Sequence, residues 1–163
     1  MAKARRVAGL AADTRFGDAA AASVEVRAAE VFHQVDGVLD TGDIDRVHDM
    51  RVATRRLRAV LEVFAGCFPK KEHKRLLREV KGLADALGER RDPDVALASL
   101  ERFAAELGDE ERPGIEGLAE DFRAEQREGN ELLAAALERV RESRLEEHLT
   151  ELAQTARAEA QRR

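Results

Sequence analysis

The 163-residue sequence has no tryptophan or tyrosine, one cysteine and three prolines. The lone cysteine, Cys67, excludes an internal disulfide and favours a reducing compartment, and its apolar surroundings predict a buried thiol rather than a nucleophile. The scarcity of proline, beside abundant alanine, leucine, glutamate and arginine, favours long helices. Hydrophobic residues make up 44% of the chain, so we expect a packed domain rather than disorder.

The sequence also lacks a long uninterrupted apolar segment. Its basic first residues resemble the start of a signal peptide, but Asp13 and Arg15 interrupt the apolar stretch that follows. No segment reaches the apolar length of a membrane span. We therefore expect a cytoplasmic protein that does not contact membranes and folds as one domain over residues 1–163, with residues 1–16 flexible.

Apolar residues recur at steps of three and four through nearly the whole chain, and no alternating strand pattern occurs. Gly88 is predicted to end one helix, and Asp92 with Pro93 to begin the next. Ser143 and Glu146 form a capping-box pattern before the last helix. The pattern predicts an all-α antiparallel bundle of about five to six helices, over residues 18–39, 44–66, 70–87, 92–107, 114–141 and 143–160.

Charge is distributed unevenly along the chain. The net charge is -5, yet residues 46–81 contain 11 Lys or Arg against 4 Asp or Glu, which is a local balance of +7. The remaining residues therefore sum to -12. The acidic whole chain thus conceals a basic segment.

The basic residues of this segment fall on the faces of two predicted helices. On the second helix a single stripe, spaced by three and four residues, holds His48, Arg51, Arg55 and Arg58, whereas Arg56 lies on the opposite flank. On the third helix one side carries Lys71, Lys74, Arg78 and Lys81. Because a short connection joins the two helices, they should pack antiparallel, and their basic stripes should converge on one groove.

Such a groove is best explained by a polyanionic ligand. Like charges three or four residues apart repel, and guanidinium groups donate paired hydrogen bonds to phosphate oxygens. A stripe of regularly spaced cations suits a ligand that repeats its charge along a line. The alternative is an ordinary solvated charged face, but from residue 46 onward only Asp49 and Glu62 offset the arginines of this helix.

Other function classes have weaker support in the sequence. A nucleic-acid phosphate-backbone module would use the same arginines, but the chain has no Tyr or Trp for base stacking. A single Glu30-x-x-His33 element is too little for a di-iron site, and no other metal or cofactor set is evident. The predicted groove is almost purely basic, which leaves a phosphohydrolase without metal-binding carboxylates. We therefore expect a binding protein rather than an enzyme.

Two sequence elements resemble the CHAD domain, the conserved histidine α-helical domain. "VHDMRVATRRLRAVLEVF" matches its His-x-x-Arg-x-x-x-Arg-Arg-x-Arg pattern from His48 to Arg58, and "LGERRD" supplies Arg91 and Asp92 of a second element. The resemblance implies a non-catalytic helical fold that binds inorganic polyphosphate through a basic surface. It also implies association with polyphosphate granules in some members, and a role in others as an accessory domain of a phosphate-metabolising enzyme.

The chain departs from the family in one respect. Members of the family are commonly about twice as long, with two helical units around a basic channel, whereas residues 98–163 contain no second arginine-rich element and have 17 acidic against 10 basic residues. The chain is therefore expected either to act as half a channel or to pair with a second copy as a homodimer.

Overall fold

The computed structural model describes residues 3–108 and 112–162. Within these residues the chain forms five α-helices and no β-strand, which confirms the predicted all-α class. No described helix combines the length and the apolar character needed to cross a membrane. The helices are α1 (Phe16–Phe32), α2 (Ile44–Val63), α3 (Lys70–Ala104), α4 (Arg112–Glu142) and α5 (Leu145–Arg162).

The helices pack around one hydrophobic core. Helix α1 contacts α2 and α5, α2 contacts α3, and α3 packs along α4. All five helices contribute buried apolar side chains, although α4 contributes few. On α2 the predicted apolar stripe is buried at Met50, Ala53, Leu57 and Leu61. Removal of this stripe from water holds α2 in a fixed rotation, so its opposite face is directed outward.

Several predicted boundaries are wrong. Helix α1 ends at Phe32 rather than near residue 39, because turns follow it and Gly37 adopts a left-handed conformation with φ of 80°. The capping box at Ser143 does not form, because its hydroxyl donates to Glu79 Oε2 at 2.6 Å. Cys67, in a 3₁₀ turn after α2, is only partly buried.

The largest correction concerns α3, which runs without a break through the predicted boundary at Gly88 and Pro93. Proline has no backbone N–H, so inside the helix it leaves the carbonyl of Glu89 without its usual donor. Pro93 and the neighbouring Asp94 are buried against the rest of the fold. Tertiary packing therefore overrides local signals that would stop an isolated helix.

The crossing of α3 and α4 depends on Gly129. A Cβ atom at this position would lie 2.8 Å from the carbonyl oxygen of Glu89 and 2.9 Å from Cα of Arg90. Both are backbone atoms of α3, so they cannot move aside as a flexible side chain would. The glycine thus lets the two helix backbones approach at the turn that Pro93 leaves without a hydrogen bond.

The distal parts of α3 and α4, residues 95–104 and 112–128, form a thinly packed segment that we call the distal hairpin. Ala119 is its only fully buried residue. Three large apolar side chains, Val95, Phe103 and Leu118, are 49%, 52% and 44% exposed. The α4 helix of the distal hairpin instead carries surface ion pairs, including that of Arg123 with Glu116 at 2.9 Å.

The close approach at Gly129 predicts opposite effects of alanine at two glycines of α4. Gly129→Ala should lower the melting temperature, because a clash with backbone costs about 1–3 kcal/mol and exceeds the gain of about 1 kcal/mol in helix propensity. Gly117→Ala should raise it, since a Cβ there meets nothing within 4 Å. Thermal melts followed by circular dichroism measure both. A Gly129→Ala variant as stable as Gly117→Ala would show that the crossing is not tight.

Candidate anion-binding site

Three predicted arginines come together in a groove between α2 and α3. Arg51, Arg55 and Arg58 line this groove, whose volume is about 360 Å³. Leu57, next to Arg58 in sequence, is 1% exposed and lies in the core. Burial of one face of α2 therefore presents the arginine stripe on the other, as the helical spacing predicts.

The opposite wall of the groove is acidic. Asp85, Glu89 and Asp92 of α3 line it together with Gly88. The prediction of an almost purely basic groove is therefore wrong, and the reason lies in the continuity of α3. The basic residues from Lys70 to Lys81 occupy its first turns, and the face that carries Lys74 and Lys81 becomes acidic where α3 passes the arginines of α2. Among the described residues, no group of three or more His, Cys, Asp or Glu side chains is placed to hold a metal ion.

Arg51 and Arg55 are exposed, and across residues 3–108 and 112–162 neither guanidinium group takes part in a hydrogen bond or an ion pair. Five arginines of the second half of the chain differ, because each pairs with a glutamate: Arg123, Arg127, Arg141, Arg144 and Arg157. An unpaired guanidinium keeps all of its donors available for a ligand. The fold thus leaves open the two arginines at the centre of the predicted stripe.

Arg58 and Lys81 are partly committed to the protein. Both approach the same oxygen of Glu62, Arg58 Nε at 3.7 Å and Lys81 Nζ at 3.5 Å. These contacts bring α2 and the basic part of α3 together, as predicted. Because the side chains are close to half exposed, the ion pairs contribute little to stability.

The remaining predicted cations of α3 divide between two sides of that helix. Lys71 and Lys74 are exposed on its first turns. Their side chains, like that of Arg78, make no hydrogen bond or ion pair with another described residue. Arg78 lines a different groove, between α3 and α4. By contrast Arg75 donates hydrogen bonds to Glu72 and Glu79, and the bond to Glu72 is the main reason that the pKa of Arg75 is raised above its ordinary value.

Arg56 and Arg91 do not join the groove lining. Arg56 lines a smaller cavity on the α1 side of α2, with Glu30 and Asp49. Arg91 is partly buried, with Nη1 4.0 Å from Asp94 Oδ2. Arg56 and Arg91, which the sequence predicts to be part of the phosphate site, therefore lie outside the groove that holds Arg51 and Arg55.

The residue that sequence reasoning missed is the neighbour of Arg91. Arg90 is fully buried, pairs with Asp94 and donates from Nε to Asn130 Oδ1 at 3.1 Å. Gln126 also donates to Asp94, at 2.6 Å. This polar network joins α3 to α4 beside Gly129. The buried Arg90 therefore has a structural role. The sequence signal for this role is the spacing of four residues between Arg90 and Asp94, which is typical of an ion pair within one helix.

His48 and Glu30 have separate environments. His48 is half-buried in the first turns of α2, and its imidazole forms no hydrogen bond within the described chain. Glu30 is buried and accepts hydrogen bonds from Arg27 at 2.7 Å and from the backbone N–H of Arg5 at 2.5 Å. Glu30 of the Glu30-x-x-His33 element therefore holds the backbone at Arg5 against α1.

Comparison with known families agrees with this architecture. The family model described as the CHAD domain matches residues 14–163, which includes all five helices and both sequence elements. No curated protein matches the sequence.

Proposed function

Since the chain belongs to the CHAD domain family, we propose that it binds inorganic polyphosphate through the arginine face of α2 and the basic first turns of α3, without catalysing a reaction on it. The family is known from polyphosphate-related proteins. The observation that carries the proposal is the unpaired state of Arg51 and Arg55 in a shared groove.

Keeping such arginines unpaired is unfavourable for the protein alone. Side chains of like charge at i and i+4 repel by a few tenths of a kcal/mol, and the nearby glutamates and aspartates are not bonded to them. A phosphate chain between the guanidinium groups relieves this repulsion and accepts charge-assisted hydrogen bonds. The spacing of about 6 Å along α2 between residues four apart matches a ligand with many evenly spaced charges.

The acidic wall sets the side of the groove on which the ligand lies. Carboxylates of Asp85, Glu89 and Asp92 repel phosphate, so the chain should follow α2 and leave the groove toward Lys81, Lys74 and Lys71. Unlike a wholly basic surface, this arrangement disfavours bulky polyanions that would have to contact both walls. Nucleic acids, which carry bases beside their phosphates, are therefore the weaker candidates.

The first test replaces Arg51 and Arg55 with glutamine. Each replacement should weaken polyphosphate binding by about 1–3 kcal/mol, the usual contribution of hydrogen bonds to charged groups, and leave the fold intact because both side chains are exposed. Isothermal titration calorimetry with polyphosphate measures the affinity, and single-stranded DNA and RNA serve as competitors.

The matched control for that double variant is Arg123→Gln with Arg127→Gln. These arginines lie on the distal hairpin, already pair with glutamates, and carry the same total charge. Equal losses in the two double variants would contradict a site on α2, and a preference of the wild type for DNA or RNA would favour the nucleic-acid function.

A second prediction concerns substitutions that should increase the affinity for polyphosphate. Asp85→Asn combined with Glu89→Gln should tighten polyphosphate binding, because it removes two negative charges from the wall that faces the arginines. Both side chains are exposed, so stability should change little. Calorimetric titration at low and high salt measures the gain, which should shrink as salt screens the charges. An unchanged affinity would place the ligand outside this groove.

We also propose that the protein forms a homodimer. The proposal rests on Val95, Phe103 and Leu118, whose exposed apolar area on the distal hairpin has no cover within the described chain. Exposed apolar side chains of this size favour contact with another protein surface. Two copies in contact would present two arginine faces to one polyphosphate chain.

Sedimentation velocity tests the dimer. The wild type should sediment as a dimer whose dissociation constant decreases when long polyphosphate bridges the copies, by mass action. Phe103→Ser should shift the protein toward monomer, whereas Val63→Ser, at an exposed apolar position at the end of α2, should not. A wild type that remains monomeric at high concentration, with or without polyphosphate, would exclude self-association.

A further inference from the structure

A second groove lies on the other side of α3. It separates α3 from α4, has a volume of about 280 Å³, and is lined by both apolar and charged side chains. Arg78 enters it from α3 and Arg139 from α4. Arg139 belongs to neither sequence element of the family and was not singled out by the charge pattern of the sequence.

The two arginines of this groove have no carboxylate partner. Arg78 and Arg139 are exposed, and neither guanidinium group makes a hydrogen bond or an ion pair in the part of the chain that the structure describes. Arg141, two residues after Arg139, shows the contrast, because it bonds to both oxygens of Glu138. Its ion pair is also the main cause of the lowered pKa of Glu138.

The one carboxylate in the groove lining is already engaged. Glu79 accepts a hydrogen bond from Arg75 at 3.0 Å and another from the hydroxyl of Ser143 at 2.6 Å. Its charge is therefore offset by a cation that is not part of the lining. The groove as a whole retains a positive charge from Arg78 and Arg139, which is the condition for binding an anion.

A glycine lies beside the two arginines. Gly82 is in the middle of α3, where glycine is less favourable to helix stability than alanine. Packing does not require it, because a Cβ at this position would meet nothing within 4 Å. The missing side chain leaves the groove open, so a ligand can approach the helix backbone between the arginines.

We propose that the groove between α3 and α4 is a second phosphate-binding site, in which Arg139 and Arg78 hold a polyphosphate segment beyond the one bound on α2. The inference rests on the proposed function and extends its surface. Lys81 and Arg78 are three residues apart on the exposed side of α3, Lys81 in contact with Glu62 of α2 and Arg78 in the groove with α4, so together they connect the two grooves across that helix. A long chain reaches both sites, whereas tripolyphosphate fills only one.

The test compares Arg139→Gln with Arg141→Gln, two variants with the same charge change two residues apart. Arg139→Gln should weaken binding of long-chain polyphosphate by about tenfold or more, the effect of losing hydrogen bonds to a charged group. Arg141→Gln should change it by less than about twofold, because only an exposed pair with Glu138 is lost. Calorimetric titration with long-chain polyphosphate and with tripolyphosphate measures both.

A variant without charge change supplies independent evidence. Gly82→Leu should fill the groove, raise helix stability and weaken long-chain binding, whereas Gly117→Leu, at an equally open position on the distal hairpin, should leave binding unchanged. Circular dichroism establishes that each variant is folded.

The possible failures are distinguishable. If Arg139→Gln and Arg141→Gln weaken binding equally, or Gly82→Leu binds as the wild type does, the second site is overturned. If the Arg51 and Arg55 double variant loses binding while Arg139→Gln does not, the second site is again overturned but the proposed function stands. A wild type that binds no polyphosphate of any length overturns both.

Discussion

The uninterrupted course of α3 from Lys70 to Ala104 is the constraint on which both grooves depend. A single helix offers one side to α2 and another to α4, so it directs Lys81 toward α2 and Arg78 into the groove with α4. Two features keep it continuous past Pro93: the buried pair of Arg90 with Asp94, and the close approach of α4 at Gly129. A break near Gly88 would move Glu89 and Asp92, and with them part of the acidic wall, away from the arginines of α2.

The buried polar network at this crossing makes the geometry specific. A buried arginine is unfavourable unless its partners are in place, and here Asp94, Asn130 and Gln126 come from two helices. Asn130 also donates to the carbonyl of Leu39, which ties the turn after α1 to α4 at 3.0 Å. Apolar packing alone would tolerate small rotations of α4 about α3, whereas these directed bonds hold one rotation and so fix where Arg139 lies relative to Arg78.

The division of charge along the chain has a structural counterpart. Arginines of the second half are mostly paired with glutamates on their own helix, which makes them ordinary surface residues of small energetic effect. The cations of α2 and of the first turns of α3 mostly lack such partners, so the unfavourable repulsion between them remains in the free protein. Arg139 is an exception in the second half, and its unpaired state is visible only once α4 is placed beside α3.

Local sequence signals failed where packing opposed them. Gly88, Asp92 and Pro93 together predict a helix end, because glycine and proline disfavour a continuing helix in isolation. Burial of Pro93 and Asp94 in the folded chain outweighs that local preference. The predicted capping box failed for a similar reason, since the Ser143 hydroxyl bonds to Glu79 on another helix, 64 residues away in sequence.

The sequence by itself determined the all-α class, the buried stripe of α2 and the exposed arginine stripe opposite it. These properties follow from a period of 3.6 residues and from burial of apolar side chains, which are local to one helix. Only the tertiary structure decided which helix faces complete each groove: the carboxylates of Asp85 and Glu89 opposite Arg51, and Arg139 beside Arg78. The physical reason is that such juxtapositions depend on the continuity of α3 and on its crossing with α4 at Gly129, and long-range backbone contacts of this kind leave no periodic signal in the chain.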